Sequence, residues 1–110
     1  MLKNNLHSFL RANHGKTIAG FGASATSTTF LTENEIGTNL SYFIDENPSK
    51  IHKYSPGYSI KVIKLSDIKK YKIDIIIILA WRFAPQIAKK LKKYKTNYLV
   101  PLPKFKYYEF

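Results

Sequence analysis

The chain has 110 residues, a formal net charge of +11 and no cysteine. This length builds one domain with a modest core and leaves too little for a separate catalytic lobe. The lack of cysteine excludes disulfides and thiolate metal sites, and it is compatible with a cytoplasmic protein. No segment has the apolar core of a signal peptide or the roughly 18 apolar residues of a membrane span, so no membrane contact is expected.

The positive charge raises the question of nucleic-acid binding. The sequence has 16 lysines and only 2 arginines, although arginine is the usual reader of base edges. The densest lysine run, residues 89–95, fits the solvent face of a helix whose apolar stripe includes Ile87 and Leu91. Nucleic acid is therefore disfavoured as a partner, and nucleic-acid binding is kept as a third hypothesis behind the two given below.

Helices and strands are predicted to alternate along the chain. Five strands are indicated by short runs of apolar and β-branched residues: 17–21, 40–44, 60–63, 74–80 and 97–100. Helical spacing or capping residues predict a helix at 2–13, a second at 24–34 packed through Ala25, Phe30 and Leu31, a short one from Ser66 or Asp67 to about Lys70, and one that has Pro85 in its first turn and carries the 89–95 lysines.

Residues 45–59, DENPSKIHKYSPGYS, have no helical period. Asn47-Pro48 and Pro56-Gly57 are turn signals. A crossover helix would normally occupy this place in a doubly wound fold, so a long non-helical loop is a departure from the pattern. Long loops in compact domains often carry function.

The alternation predicts an α/β fold. We expect a single Rossmann-like domain over residues 1–110, with a parallel five-stranded sheet in the order 3-2-1-4-5 and helices on both faces. This order places the first and fourth strands side by side where the winding reverses. Ligands bind such sheets in the crevice at the carboxyl ends of those strands.

The first strand runs into a glycine turn, GFGASA, in which Gly20, Gly22 and Ala25 match the G-x-G-x-x-G/A spacing of a nucleotide-binding turn. The first glycine is expected to allow the tight turn, the second to admit phosphates, and Ala25 to let helix and strand pack closely. The helix N-terminus then faces an anion. Asp45 is either the ribose-binding acid of such a site or a cap of the loop together with Asn47.

Trp81 and Arg82 follow the fourth strand and are predicted to reach the same crevice. Trp81 is either a stacking platform or a core or interface aromatic, and Arg82 is either an anion ligand or a solvated charge. The histidines His7, His14 and His52 are too scattered for a metal site. No Ser-His-Asp set or carboxylate pair has a recognisable spacing, so no catalytic residue is predicted.

Taken together, several segments resemble the C-terminal domain of the S-adenosylmethionine-dependent sugar C-methyltransferases, which methylate keto-deoxysugars carried on a nucleoside diphosphate. The matching segments occur in the family's order over roughly residues 15–103: IAGFGASA (18–25), FIDENPSKIHKYSPG (43–57), ILAWRFAPQI (78–87) and LVPLP (99–103). The Asp-x-Asn-Pro-x-Lys loop is the most distinctive of them. The resemblance implies a site for a nucleoside-diphosphate sugar formed by Gly20, Gly22, Ala23, Asp45, Tyr54, Trp81 and Arg82.

Full-length members of that family resemble a three-part enzyme with a cysteine-rich zinc domain, a methyl-donor-binding domain and this C-terminal piece. The present sequence has no cysteine and no second glycine-rich loop. The resemblance therefore implies that this chain binds the nucleotide-sugar and no cofactor, while the complete enzyme uses S-adenosylmethionine. It would act as a split subunit with a separate methyltransferase partner that binds S-adenosylmethionine, or it would be a remnant of a larger enzyme.

The sequence departs from the family pattern at two positions of the expected site. Thr26 stands where members usually carry lysine, and Arg82 stands where they usually carry asparagine. The first change removes a cation beside the glycine turn, and the second adds one at the neighbouring strand end.

The alternative reading is a free-standing dinucleotide-binding module or small oxidoreductase-like protein, for which no proton donor or substrate domain is evident.

Overall fold

A six-stranded sheet forms the centre of the structure, a computed structural model that describes residues 1–55 and 57–110. The strands are β1 (Ile18–Phe21), β2 (Tyr42–Ile44), β3 (Lys61–Ile63), β4 (Ile75–Ile78), β5 (Asn97–Val100) and β6 (Lys106–Tyr108). Their order is β3-β2-β1-β4-β5-β6; among these described strands only β5 and β6 pair antiparallel, and Tyr54 forms an isolated antiparallel bridge with Lys61. The predicted order of the first five strands is confirmed, and β6 is an addition that the sequence reading missed.

Helices cover both faces of the sheet, as predicted. The described part of the chain contains three α-helices: α1 (Leu2–Ala12), α2 (Ala25–Glu33) and α3 (Ala84–Tyr94). Leu6 of α1 and Leu31 of α2 join the core cluster on one face, whereas Ile87 and Leu91 of α3 join the cluster on the other face. The sheet therefore lies between two helical layers.

The prediction of a short helix from Ser66 or Asp67 to Lys70 is wrong. The chain forms a 3₁₀ turn at Leu65–Asp67 without a side-chain cap, followed by further turns. The segment 64–74 is as long as α1 or α3, so its length does not exclude a helix; its turns place two apolar side chains against the sheet. Leu65 and Ile68 instead bury their side chains in the core.

The buried strand β4 accounts for the most apolar run of the sequence. Its side chains alternate, so that Ile75 and Ile77 face the α1–α2 cluster while Ile76 and Ile78 face the α3 cluster. All four isoleucines are fully buried, and each contributes about 1.5–3 kcal/mol by leaving water. The parallel pairing of β1 with β4 brings the carboxyl ends of the two strands together.

The long segment between β2 and β3 is non-helical over its described residues, as predicted. Asp45 accepts a hydrogen bond from the Asn47 backbone N–H at 2.8 Å, and the Asn47 side chain accepts one from the Ser49 N–H at 3.1 Å. Val62 N–H donates to the Lys53 carbonyl at 2.8 Å, which ties the loop to β3. Pro56 lies outside the described residues, so the turn predicted at Pro56-Gly57 is not described there.

The sixth strand forms because aromatic residues of the tail pack on both faces of the sheet edge. Tyr108 stacks on Tyr98 of β5 with ring centroids 4.7 Å apart and an interplanar angle of 15°. On the opposite face Tyr107 meets Phe9 of α1 edge-on at 4.9 Å. These contacts join residues far apart in sequence, so a local pattern could not reveal the strand.

Two phenols of this edge make the stability sensitive to alkaline pH. Burial raises the pKa of Tyr98 and of Tyr107 above the ordinary tyrosine value of 10.0. Because the unfolded chain releases these protons more readily than the folded one, their stabilising effect is full below about pH 10 and is lost as pH rises through the folded pKa values.

We therefore expect the urea midpoint, followed by circular dichroism, to fall as the pH rises above about 10. Tyr98→Phe removes one of the two phenols and should make this fall smaller. The same alkaline loss in wild type and in Tyr98→Phe would contradict the assignment of the effect to Tyr98.

Candidate functional site

A cleft of about 540 Å³ lies between the turn after β1, helix α2 and the loop that follows β2. We call it the α2 cleft. Its walls include Ala23, Ser24, Thr28, Lys50, Lys53 and Tyr54. It therefore sits at the carboxyl ends of β1 and β2, the edge of the sheet at which a ligand was expected.

The two glycines of the turn have different structural roles. Gly22 has φ +108°, and a Cβ there would lie 3.1 Å from the Cβ of Ala80, so a side chain would be both strained and crowded. Gly20 lies inside β1, where a Cβ would be only 2.5 Å from Leu79 Cδ1. The expectation that Gly20 makes the tight turn is wrong, because Gly22 makes it and Gly20 lets Leu79 pack on β1.

The third position of the glycine pattern also differs from expectation. Ala25 is exposed, whereas Ser27 is 2% exposed and its Oγ lies 3.7 Å from the Cβ position of Gly22. Close packing of α2 on the turn is therefore made by Ser27. Ser24 precedes the helix as its N-cap, and its Oγ accepts a hydrogen bond from the Ser27 N–H at 3.1 Å.

Both backbone polar groups of Ala23 are held by side chains of the loop after β2. Asp45 Oδ2 accepts from the Ala23 N–H at 3.0 Å, and Lys50 Nζ donates to the Ala23 carbonyl at 2.7 Å. The two side chains also approach each other to 4.0 Å. We call this arrangement the Ala23 clamp. It fixes the glycine turn to the Asp-x-Asn-Pro-x-Lys segment.

The clamp occupies the carboxylate of Asp45 within the protein. One oxygen accepts from Ala23 and the other from the Asn47 N–H at 2.8 Å. These contacts correspond to the loop-capping interpretation of Asp45. A contact between this carboxylate and a ribose stays a prediction.

The N-terminus of α2 presents backbone N–H groups beside the cleft. Within residues 1–55 and 57–110, no acceptor contacts the amide nitrogens of Ser24, Ala25 and Thr26. The helix has 9 residues, so the partial positive charge of its dipole adds to these donors. This end of the cleft is suited to an anion.

Trp81 and Arg82 lie on the other side of the same helix end. They belong to a 3₁₀ turn after β4, and the Arg82 guanidinium lies 5.5 Å from the Trp81 ring centroid. With Thr26 they line a smaller pocket of about 190 Å³. Ser24 lines both this pocket and the α2 cleft.

The structure thus divides the seven residues expected to bind ligand into three groups. Ala23 and Tyr54 line the α2 cleft, and Trp81 and Arg82 line the smaller pocket. The other three support the turn from behind: Gly20, Gly22 and Asp45.

Sequence reasoning missed two lysines of the site. Lys50 was visible as the last residue of the Asp-x-Asn-Pro-x-Lys segment, but its contact with Ala23 depends on how the loop folds back. Lys53 lines the cleft three residues later, next to Tyr54, a residue that is 65% exposed. A solvent-facing aromatic beside a lysine in a loop gives no periodic signal.

Two kinds of feature are not found in the part of the chain that the structure describes. No group of three or more His, Cys, Asp or Glu side chains is placed to hold a metal ion. Of the helices that are described, none is both long and apolar enough to cross a membrane.

The comparison with family models decides the relationship. The model of the C-methyltransferase C-terminal domain matches residues 1–103. The chain belongs to this family. The match includes α1 and ends before β6, which is therefore an addition to the matched part.

One individual relative agrees with this membership. The chain is 29% identical over 93 residues to C-methyltransferase NovU of Streptomyces niveus, a match that covers 81% of this chain and 22% of that protein. The chain therefore spans about a fifth of that relative's length. Among solved structures, UDP-D-quinovosamine 4-dehydrogenase from Vibrio fischeri has a TM-score of 0.57 at 15% identity, covering 88% of this chain and 96% of that chain. This likeness shows a shared fold.

The Ala23 clamp makes a testable contribution to stability. The Asp45 side chain is 17% exposed and accepts two backbone hydrogen bonds, so Asp45→Ala should lower the free energy of unfolding by about 2 kcal/mol. Lys50 is 41% exposed, and solvent screening reduces the expected loss in Lys50→Met to about 1 kcal/mol.

Urea denaturation followed by tryptophan fluorescence measures both values. Lys69→Met, which removes an exposed lysine that does not line the cleft, is the matched control and should change stability little. If Lys50→Met costs no more than Lys69→Met, the contact with the Ala23 carbonyl does not stabilise the turn.

Proposed function

We propose that this chain binds the nucleoside-diphosphate part of a nucleotide-sugar in the α2 cleft, as the substrate-binding C-terminal domain of a sugar C-methyltransferase. One observation carries the proposal. The Ala23 clamp holds the glycine turn so that the open N-terminus of α2 lines the cleft next to Lys53 and Tyr54.

The diphosphate is assigned to the helix end. Its oxygens would accept hydrogen bonds from the amides of Ser24, Ala25 and Thr26, and Lys53 would supply the countercharge. Thr26 then contributes its backbone, so the lysine that relatives carry at this position is not needed for the contact. The net charge of +11 also favours the approach of an anionic ligand.

The base is assigned to Tyr54. This residue lines the cleft and is 65% exposed, as a stacking surface must be before the ligand arrives. Stacking of a base on an aromatic side chain contributes about 1–3 kcal/mol. The sugar would extend past Ser24 into the smaller pocket beside Trp81 and Arg82.

The engaged carboxylate of Asp45 favours this proposal over a dinucleotide-binding module. In such a module an acid at the end of the second strand binds the ribose hydroxyls. Here that acid holds Ala23 and Asn47. If Asp45 bound a ribose instead, it would lose these two hydrogen bonds, and the glycine turn that is proposed to bind the phosphates would no longer be held in place.

Methyl transfer is assigned to a part of the enzyme that this sequence does not contain. The sequence has one glycine-rich turn after a strand, and the proposal gives that turn to the nucleotide-sugar. S-adenosylmethionine would bind to another domain or to a separate subunit. The present domain would hold the substrate and close one side of the active site.

Calorimetry with uridine diphosphate glucose, thymidine diphosphate glucose, NAD and S-adenosylmethionine tests the binding proposal. We expect at least one nucleotide-sugar to bind more tightly than NAD or S-adenosylmethionine. Lys53→Met and Tyr54→Ala should each weaken that binding by about tenfold, which corresponds to about 1.4 kcal/mol.

Lys69→Met again serves as the control and should bind like wild type. Because Lys53 and Tyr54 lie at the protein surface, their variants are better probes than Gly22→Val, which would crowd Ala80. Tighter binding of NAD than of both nucleotide-sugars would favour the dinucleotide module. Unchanged affinity in both cleft variants would show that the site lies elsewhere.

A second prediction concerns catalysis. Mixed with radiolabelled S-adenosylmethionine and a nucleoside-diphosphate keto-deoxysugar, the 110-residue chain should transfer no methyl group, because it supplies only the substrate-binding part. If the chain acts as a split subunit, addition of a methyltransferase subunit that carries the other domains should produce labelled sugar. Turnover by the chain alone would overturn the assignment.

A further inference from the structure

A second concave surface lies at the opposite edge of the sheet, between α3 and β6. It has a volume of about 590 Å³, within the range of small-molecule sites. We call it the β6 groove. Its walls include Trp81, Arg82, Pro85, Lys104, Lys106 and Tyr108. None of the residues that line the α2 cleft contributes to it.

The groove exists because the sheet extends beyond the helix that covers it. Tyr98 pairs with Tyr108 and Val100 pairs with Lys106, so these four side chains share the face that α3 packs against. Ala88 of α3 reaches the groove wall, but a small side chain there leaves the strip above β6 open. The groove floor is therefore aromatic and the strand edge beside it carries charge.

The charge of the groove has one sign. As far as the described residues go, no acidic side chain lines it, and neither Arg82, Lys104 nor Lys106 forms a salt bridge. Lys106 Nζ lies 5.2 Å from the Tyr108 ring centroid, and Arg82 lies 5.5 Å from that of Trp81. Each cation is thus placed beside an aromatic ring.

We propose that the β6 groove is a separate binding site for a nucleoside monophosphate. Flat aromatic walls suit a base, which stacks on Tyr108 or Trp81, and the three cations suit the phosphate. An inorganic anion would leave the aromatic floor unused, and a neutral aromatic would leave the cations without a partner. A ligand that carries both a base and a phosphate therefore fits these walls better than either part alone.

The β6 groove shares no lining residue with the α2 cleft, although Trp81 and Arg82 also line the smaller pocket to which the sugar is assigned. Lys104 and Lys106 lie beyond residue 103, where the family match ends. The groove is therefore built partly from residues that the C-methyltransferase domain model does not include. Loss of nucleotide-sugar binding at the α2 cleft would leave it intact.

Nuclear magnetic resonance titration of the full chain tests the proposal, because the amide signals report the place of binding. The probe is adenosine 5′-monophosphate, and adenosine and ribose 5-phosphate are titrated separately. We expect the monophosphate to shift the amide signals of residues 104–108 and the Trp81 indole N–H, and to bind about tenfold or more tightly than either fragment.

Matched variants separate the groove from general charge attraction. The double variant Lys104→Ala/Lys106→Ala should weaken binding of the monophosphate by about tenfold, because it removes two of the three cations of the groove while solvent screens each contact. Lys92→Ala/Lys93→Ala, which removes the same charge from the exposed face of α3, and Tyr54→Ala, which alters the α2 cleft, should leave the shifts at 104–108 unchanged.

Three results would overturn the proposal. The first is the absence of monophosphate-induced shifts in residues 104–108. The second is equal weakening by the two double-lysine variants, which would mean non-specific attraction. The third is equal affinity for adenosine and adenosine 5′-monophosphate, which would mean that the cations take no part.

Discussion

The candidate site depends on the attachment of one residue, Ala23, to the loop after β2 through both of its backbone polar groups. Asp45 holds its N–H and Lys50 holds its carbonyl, so the turn that begins α2 cannot move without breaking two charge-assisted hydrogen bonds. A phosphate-binding helix end is useful only if its amides are already oriented, because ordering them on binding would consume affinity. The Asp-x-Asn-Pro-x-Lys segment, conspicuous in the sequence, is thus explained by the support it gives to the glycine turn.

Most of the fold was predictable because its signals are local. The continuous isoleucine run of β4, the apolar stripe of α3 and the glycine turn after β1 each determine one element, and the right-handed crossover rule then orders the sheet. β6 was not predictable, since its pairing rests on Tyr107 and Tyr108 meeting Phe9 and Tyr98 from distant parts of the chain. The segment after β3 carried residues suited to capping a helix, but it buries Leu65 and Ile68 through turns, which the local pattern did not indicate.

The position of the candidate cleft was predictable, whereas the contacts of its individual residues were less so. Topology alone indicated that the glycine turn, Asp45 and Trp81-Arg82 meet at one edge of the sheet, and they do. Whether Asp45 faces a ligand or the backbone depends on the course of the loop, which no periodic pattern records. The same is true of Ser27, which packs where Ala25 was expected, and of Lys53 and Tyr54, whose exposure places them at the cleft.

A crystal structure of the chain soaked with a nucleoside-diphosphate sugar tests the central claim most directly. The account predicts the diphosphate within hydrogen-bond distance of the amides of Ser24, Ala25 and Thr26, the base against Tyr54, and an unbroken Ala23 clamp. A diphosphate bound away from the N-terminus of α2, or an Asp45 carboxylate that has left Ala23 to bind the ribose, would contradict it.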